Sequence, residues 1–542
     1  MRITDFDKSR LPVVIVILIL AVGLYLRLYH ITYPPIGFHS MKEVHYLSVA
    51  KGYLDHGDFA HKRVLYSGLT EGEGYMESFP QFPFLPLIYY FLWKVFGVHV
   101  WMARLVVIAF SLGTIFLAWR VAEKLTKNRE TGLLSSFFMM IMPVSIFFGR
   151  NIQPDIPALF FLLLLYRFFL EWIEGFRLKD LVGFSVCLLM VAMIKGTFLF
   201  PVITVAFLFP YGKLSGKETR KTIFRQSAWF LAGISMIIIW LLMTKAALVR
   251  SDSLFPVDRL LLAKSFRPGY WKTVIPVIWG HIGKNYTYLY FSFFFVGLLS
   301  CLLNWRSMIS RFLAGSLVSA VLCFMLISDF AFRHSYYHIP FLPMIAFGVA
   351  VGLSEAVSIL DRPALKKFRF IALAIFVLAA APFLKKEYFK HFDTLALGSD
   401  IAGRYIAEHG EPGDRVFISY ASPSDRRYAA YRTQLYGTLW EADKRGNLLP
   451  DKLDKIRAGE DMRNFRWILL YSTRWSPADA GIRRYIFENY HVTQVGYRDS
   501  ELLYYLLRWG GSFDLSPFEN IEPDFAGRYH FSFGDVDILV KE

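Results

Sequence analysis

The sequence predicts an α-helical polytopic membrane protein with a soluble α/β domain at its C-terminal end. Three observations predict it. Long uncharged apolar runs recur from residue 11 to about residue 385, lysines and arginines gather in alternate connections between them, and from about residue 387 the composition turns to mixed polar sequence. Only 19% of residues are charged against 55% hydrophobic, and the mean hydropathy is +0.38, a balance foreign to soluble chains.

The first run, LPVVIVILILAVGLYL (11–26), lies between Arg10 and Arg27 and follows a short basic head. It lacks a small-residue cleavage site, and further apolar runs follow, so it reads as a span rather than a signal peptide. A crossing helix needs roughly 20 apolar residues, fewer where polar ends snorkel. On that basis eleven spans are expected, near 11–29, 101–122, 132–148, 155–173, 180–195, 197–211, 228–246, 286–304, 311–328, 338–357 and 369–385. The pair at 180–211 consists of two short halves interrupted at Lys195-Gly196.

The formal net charge of +16 reads as a topology signal rather than a nucleic-acid surface. With the N-terminus cytoplasmic, the inner loops hold Lys124, Lys127, Arg129, Lys213, Lys217, Arg220, Lys221, Arg225, Lys366 and Lys367, while the short outer loops hold little beyond Arg150, Lys195 and Arg333. A full crossing at 82–96 (FPFLPLIYYFLWKVF) would invert every later loop, so that segment is expected to be an interfacial helix. The loop 30–100, the loop 247–285 and the tail then face the outside of the cell (inner) membrane, and the chain divides into a transmembrane domain over 1–386 and a soluble domain over 387–542. In the tail, RVFISYA (415–421) and FRWILLYS (465–472) alternate with helix-like segments at 398–409 and 478–489. Cys187, Cys301 and Cys323 lie within apolar spans and read as packing residues.

The spans are nearly free of charge, which argues against an ion-coupled transporter, since those carry ionisable groups at mid-membrane. Four outer clusters hold the polar chemistry: His39, Lys42, Glu43, His45 and Tyr46; Glu71, Glu73, Tyr75 and Glu77; Arg150, Asn151, Gln153 and Asp155; and Asp329, Arg333, His334, Tyr336, Tyr337 and His338. Acids, bases and tyrosines beside lipid suit a substrate with a polar head and an isoprenoid or acyl tail. Each group also has a structural role open to it. Asp155 begins a helix and could cap it; Tyr336 and Tyr337 fit an aromatic belt; Glu71 and Glu73 fit a solvated loop; Lys42-Glu43 fits a surface pair. The histidines are too scattered for a metal motif, and a requirement for a divalent cation stays open. Asn285-Tyr286-Thr287 forms a glycosylation sequon.

The stretches FHSMKEVHYLSVAKGYL, GYMESFPQFPFLPLIYYFLWKVFGVHVWMARL, MPVSIFFGRNIQPDIPALFF and, more weakly, RHSYYHIPFLPMIAFGVAVGL occur in an order and spacing that resemble a known group. It is the bacterial branch of the protein O-mannosyltransferase and aminoarabinose-transferase enzymes, within the GT-C superfamily. The resemblance spans roughly residues 10–360. It implies a GT-C-like helical fold and an inverting transferase that moves a sugar from a polyprenyl-phosphate donor to a lipid, glycan or protein acceptor. It also implies that Asp155 and Glu77 are acidic site residues. Much of the group has an aspartate in the first loop where this chain has Lys42-Glu43; the expected acceptor base is Glu43, or Asp155 if the loop folds otherwise. Lys42, Arg150 and Arg333 are expected to bind the donor phosphate, with His39, His334, Tyr336 and Tyr337 around the substrate. The alternatives are a lipid-carrier flippase, a catalytically degenerate glycan-binding or assembly protein, and a glycan ligase with an oligosaccharide donor.

Overall fold

The computed structural model describes residues 11–60, 62–64, 76–77, 81–250, 265–327, 334–358, 368–393, 397–411, 414, 416–418, 439–440, 463, 465–471 and 480–542. Among these, the helices in chain order are α1 (Leu11–Leu28), α2 (Ser40–His56), α3 (Phe84–Phe96), α4 (Val100–Thr126), α5 (Arg129–Ile141), α6 (Pro143–Phe148), α7 (Asp155–Gly175), α8 (Leu178–Ile194), α9 (Leu199–Val202), α10 (Thr204–Leu208) and α11 (Lys217–Arg250). They continue with α12 (Tyr270–Tyr286), α13 (Tyr288–Leu303), α14 (Met308–Leu326), α15 (Leu342–Ser358), α16 (Arg369–Phe392), α17 (Ser399–His409) and α18 (Ala480–Asn489). The chain forms two compact units: residues 1–31, 79–84 and 102–388, and residues 32–78, 85–101 and 389–542.

Among the described residues of the first unit, six helices are long and apolar enough to cross a membrane: α1, α4, α7, the first part of α11 (Lys217–Ile239), α14, and the stretch Ser335–Ser358 that ends in α15. The pair α12 and α13, bent by 100°, adds a seventh if it makes one span. The expected span 369–385 lies on the 24-residue α16, which carries Pro382 and ends in a charged turn, and the others fall on shorter or interrupted helices. Residues 132–148 break at Pro143 into α5 and α6, since proline removes an internal hydrogen bond. Residues 180–211 form α8, a 3-10 turn at Gly196–Phe198, and the short α9 and α10. The segment expected to lie at the interface is α3, whose 13 residues reach only about 20 Å, too short to cross.

Two contacts fix this unit. Arg27, which the sequence placed at the flank of the first span, is instead fully buried at 0% exposure. Its Nε donates to Ser111 Oγ (2.7 Å), Nη1 to the carbonyls of Gly23 (3.1 Å) and Met140 (3.3 Å), and Nη2 to Ser145 O (3.1 Å) and Oγ (2.9 Å). That guanidinium ties α1 to α4, α5 and α6 through acceptors that would otherwise be unsatisfied in an apolar medium. The second contact is a close approach of backbones. A Cβ on Gly297 of α13 would stand 2.1 Å from the carbonyl oxygen of Gly348 on α15, and one on Gly352 would stand 2.0 Å from Phe293 O. Small residues let membrane helices touch along their backbones.

In the second unit, β3 (Val416–Ile418), β4 (Leu439–Trp440), β5 (Trp467–Tyr471), β6 (Tyr490–Arg498), β7 (Glu501–Trp509), β8 (Asp524–Phe531) and β9 (Gly534–Lys541) form one sheet in the order β4-β3-β5-β7-β6-β9-β8. Both β4 and β5 run parallel to β3, and the other pairs are antiparallel. Alternation along β5 buries both faces: Trp467 and Leu469 pack with Ala402 and Ile406 of α17, while Ile468 and Leu470 pack with Ile486 of α18. The two helix-like tail segments and the runs at 415–421 and 465–472 thus lie on α17, α18, β3 and β5. Part of the loop 30–100 belongs to the same unit: the His530 N–H donates to Tyr33 Oη at 2.7 Å, and α2 packs on α3 through Val49, Tyr53, Leu87 and Tyr90.

Replacing Gly352 with alanine forces α13 and α15 apart. The expected loss is roughly 1–3 kcal/mol, seen as an earlier thermal transition of detergent-purified protein. Gly280→Ala, where a new Cβ meets nothing within 4 Å, should melt with the wild type. Coincident transitions for both variants would refute the close packing.

Candidate functional site

Asp155 opens α7, but it does not cap it. The N-cap position is Pro154, and no side chain bonds the free N–H groups there. Instead Asp155 Oδ1 accepts a 2.6 Å hydrogen bond from Lys195 Nζ, making an ion pair in which aspartate is 1% and lysine 8% exposed. The lysine reaches it because α8 stops at Ile194. Lys195 then adopts an extended backbone (φ −158°, ψ 102°) before the 3-10 turn that begins at Gly196. Phe82 N–H donates to Met193 O at 3.3 Å, packing the segment before α3 against this break. Residues 181–212 contain no other charged side chain. A lone lysine at a glycine break in an apolar segment was the signal for a site residue, and the sequence was read there only for an interruption and for one of the few outer-loop cations.

The stretch Ser335–Phe341 covers the pair. Lys195 Nζ lies 4.6 Å from the Tyr336 ring centroid and 5.6 Å from that of Tyr337, within cation–π range. His334 stacks on Tyr336 at 5.1 Å with the rings 9° from parallel, and Phe148 meets Tyr336 edge-on at 6.3 Å. Tyr336 is 6% exposed, so it belongs to this cluster and not to a membrane-interface belt. Behind it, Tyr286 Oη donates to His338 O (3.0 Å) and Asn285 Nδ2 to Ser335 O (3.0 Å). Asn285 is fully buried and its amide nitrogen is engaged, so the sequon is no glycosylation site in the folded protein.

Buried polar atoms with no hydrogen-bond partner among the described residues occur on the segments that carry or adjoin the pair: Asn151 Oδ1, Gln153 Nε2 and Asp155 Oδ2 at or just before the start of α7, Thr197 Oγ1 just after Lys195, His338 Nε2 within the 335–341 stretch, and Oδ1 of Asn285, which is bonded to that stretch through its amide nitrogen. Leaving such a group unsatisfied costs about 1–3 kcal/mol. Several such groups on adjoining segments call for an explanation beyond folding, and a bound polar ligand supplies one. Arg150, at the turn before α7, donates from Nη2 to His30 O at 2.6 Å, and Arg104 Nη1 donates to Ile31 O at 2.8 Å. The sequence-derived group Arg150, Asp155, His334, Tyr336 and Tyr337 thus lies in the first unit, and Lys195 joins it.

The first-loop residues lie in the second unit. His39 precedes α2 in the left-handed region (φ 59°), and Glu43 sits in the first helical turn. Lys42 is half-buried and Glu43 is 4% exposed, so these are not an exposed surface pair. His45 and Tyr46 are buried on the same helix. Tyr89 of α3 faces Glu43: burial first, then the charges of Glu43 and Tyr46, push its phenol well above the usual tyrosine value. It therefore stays a donor, and its oxygen has no partner among the described residues. Glu77 lies in β2 (Met76–Glu77), opposite Arg63 of β1 (Arg63–Val64). Glu71, Glu73, Tyr75, Asp329 and Arg333 lie outside the described residues. Among the described residues no group of three or more His, Cys, Asp or Glu could hold a metal ion, and the three cysteines are free and buried.

Residues 80–243 match the dolichyl-phosphate-mannose-protein mannosyltransferase family. The structure is similar to ArnT from Cupriavidus metallidurans, with a TM-score of 0.59 over 91% of this chain and 97% of that one at 12% identity. The fold is that of the GT-C glycosyltransferases. ArnT solved with undecaprenyl phosphate gives a TM-score of 0.55 over 99% and 98% of the two chains at 14% identity. The oligosaccharyltransferase AglB from Archaeoglobus fulgidus, in complex with an inhibitory peptide and a dolichol-phosphate, gives 0.56 over 92% and 74% at 11% identity. No curated protein sequence matches the chain. The GT-C fold class expected from the sequence is met, and the chain is an integral membrane protein.

Removing one partner of the Asp155–Lys195 pair leaves a buried charge uncompensated. Lys195→Met or Asp155→Asn alone should cost roughly 3–5 kcal/mol, and the double variant less than the sum of the singles. Thermal unfolding of the four proteins in one detergent measures the coupling. Purely additive losses would show that the two side chains do not interact.

Proposed function

We propose that the protein is a membrane glycosyltransferase that moves a sugar from a polyprenyl-phosphate-linked donor to a glycolipid, glycan or protein acceptor. The observation that carries this reading is the buried Asp155–Lys195 pair beside Tyr336, with unsatisfied polar atoms on the segments that adjoin it. It is supported by the family match over 80–243 and by the lipid phosphates bound to the ArnT and AglB structures. The topology proposed with it puts the N-terminus in the cytoplasm and the C-terminal unit outside the cell (inner) membrane, with the transferase domain over 1–386 and the accessory domain over 387–542.

The reaction requires the acceptor oxygen to bond to the anomeric carbon as the bond from that carbon to the donor's phosphate oxygen breaks. The acceptor proton passes to a carboxylate, and the bonding electron pair leaves with the lipid phosphate. In a single inverting displacement the base and the phosphate stand on opposite faces of the sugar. Lys195, 2.6 Å from Asp155, is therefore assigned to the base side: it holds Oδ1 and aims the unpartnered Oδ2 at the acceptor hydroxyl. The phosphate falls to other cations, for which Arg150, Arg333 and Lys42 are proposed: the two guanidinium groups offer paired donors in a plane, and the lysine a compact positive charge. Tyr336, Tyr337, His334 and His39 are proposed to bound the sugar. Glu43 and Glu77 are proposed as further carboxylates.

Incubation of purified protein with prenyl-phosphate monosaccharides, following lipid-phosphate release, tests the reading. Asp155→Asn should lower the rate by roughly 10²–10⁴-fold. Lys195→Arg should retain more activity than Lys195→Met, and the product should have an inverted anomeric centre. Parallel Glu43→Gln and Glu77→Gln variants ask whether the outer loop contributes. Undiminished turnover in Asp155→Asn would remove the assignment of the base.

A further inference from the structure

A cavity lies at the other end of α7 from Asp155. It has a volume of about 480 Å³ and lies among Trp172, Leu188, Ala206, Phe209, Ile223 and Phe230, between α7, α8, α10 and α11. Residues 155 and 172 are about 26 Å apart along the helix at ~1.5 Å per residue, so this cavity is no part of the cluster around Lys195. Its size falls in the range that holds a small ligand.

The walls dictate what enters. They are aliphatic and aromatic, and the buried polar side chain at the cavity, Gln226, is already engaged. Trp172 Nε1 donates to Gln226 Oε1 (2.8 Å), and Gln226 Nε2 donates to Phe176 O (2.7 Å). An apolar chain therefore enters without stripping hydrogen bonds from the protein. The cavity is flanked by exposed apolar side chains, Ile203, Phe207 and Val182, of the kind that face lipid.

The rim supplies the second half of the recognition. Ile223, Gln226, Ser227 and Phe230 line the cavity along one face of α11, and Arg220 lies three residues before Ile223 on that face. Lys213, two residues beyond the lining Tyr211, spends one N–H on Ile173 O at 2.8 Å; an ammonium has three. Across residues 213–225, five exposed cations (Lys213, Lys217, Arg220, Lys221 and Arg225) face one acid, Glu218. An apolar slot beneath a basic rim is complementary to a lipid with an acyl chain and an anionic headgroup.

We propose that the cleft between α7, α8, α10 and α11 is a binding site for an anionic diacyl phospholipid, with an acyl chain in the cavity and the headgroup on Lys213 and Arg220. The site is separate from the reaction centre, and its occupant is neither donor nor acceptor.

The test uses the full-length protein in detergent mixed with phosphatidylglycerol or phosphatidylcholine, counting retained lipids by native mass spectrometry. The wild type should retain phosphatidylglycerol over phosphatidylcholine by roughly ten-fold or more, each cation being worth roughly a five-fold change. Arg220→Glu and Lys213→Glu should each erase most of that preference, and Ala206→Trp, which fills the cleft, should abolish retention of both lipids. In parallel, phosphatidylglycerol carrying a diazirine on its acyl chain should label α8, α10 and α11 of the unmutated protein, a readout independent of how any variant folds. Equal retention of the two lipids, labelling elsewhere, or displacement by equimolar undecaprenyl phosphate would each overturn the proposal.

Discussion

A guanidinium surrounded by hydrocarbon side chains survives only if the protein answers its N–H groups. Arg27 meets that condition with five hydrogen bonds to Gly23, Ser111, Met140 and Ser145. Much else in the membrane unit follows from it. α1 has few buried residues of its own, so its position against α4, α5 and α6 is set largely by this one side chain. Arg104 and Arg150 then take the carbonyls just past its end. With α6 fixed, the turn at 149–154 is fixed, and so is the start of α7 where Asp155 sits.

The contrast between Arg27 and Asp155 separates scaffold from site. Both are buried and charged, and both reach partners far away in the sequence. Arg27 is fully answered by neutral acceptors. Asp155 has one oxygen on Lys195 and one with no partner among the described residues, and the adjoining segments carry a glutamine, two asparagines, a threonine and a histidine in the same condition. In an apolar surrounding the first arrangement is a staple and the second is a receptor for something polar.

Hydrophobic periodicity and charge placement made the helices legible, because both report the solvent around a segment. That is why residues 11–29 and 155–173 read nearly as they fold, and why 82–96 was separable from a crossing. Environment does not name partners. Nothing near Asp155 in the chain announces Lys195, 40 residues on, and a proline-flanked aspartate at a helix start looks like a cap until its hydrogen bond is seen elsewhere. Arg27 looked like a flank for the same reason: an arginine at the end of an apolar run is read as facing water unless its acceptors on three other helices are known. The sequon at Asn285 matched in pattern and failed in burial. In the tail, the apolar run that forms β5 was visible, but the strand order was not, since it depends on pairings as distant as those of β5 with β3 and β7.

The glycine contact between α13 and α15 has a mechanical consequence. Where two backbones meet with no side chain between them, neither helix can slide past or roll over the other without atoms overlapping. The pair must travel as one solid strut. Any widening of the bundle to admit a long lipid has to be taken up by helices other than these two.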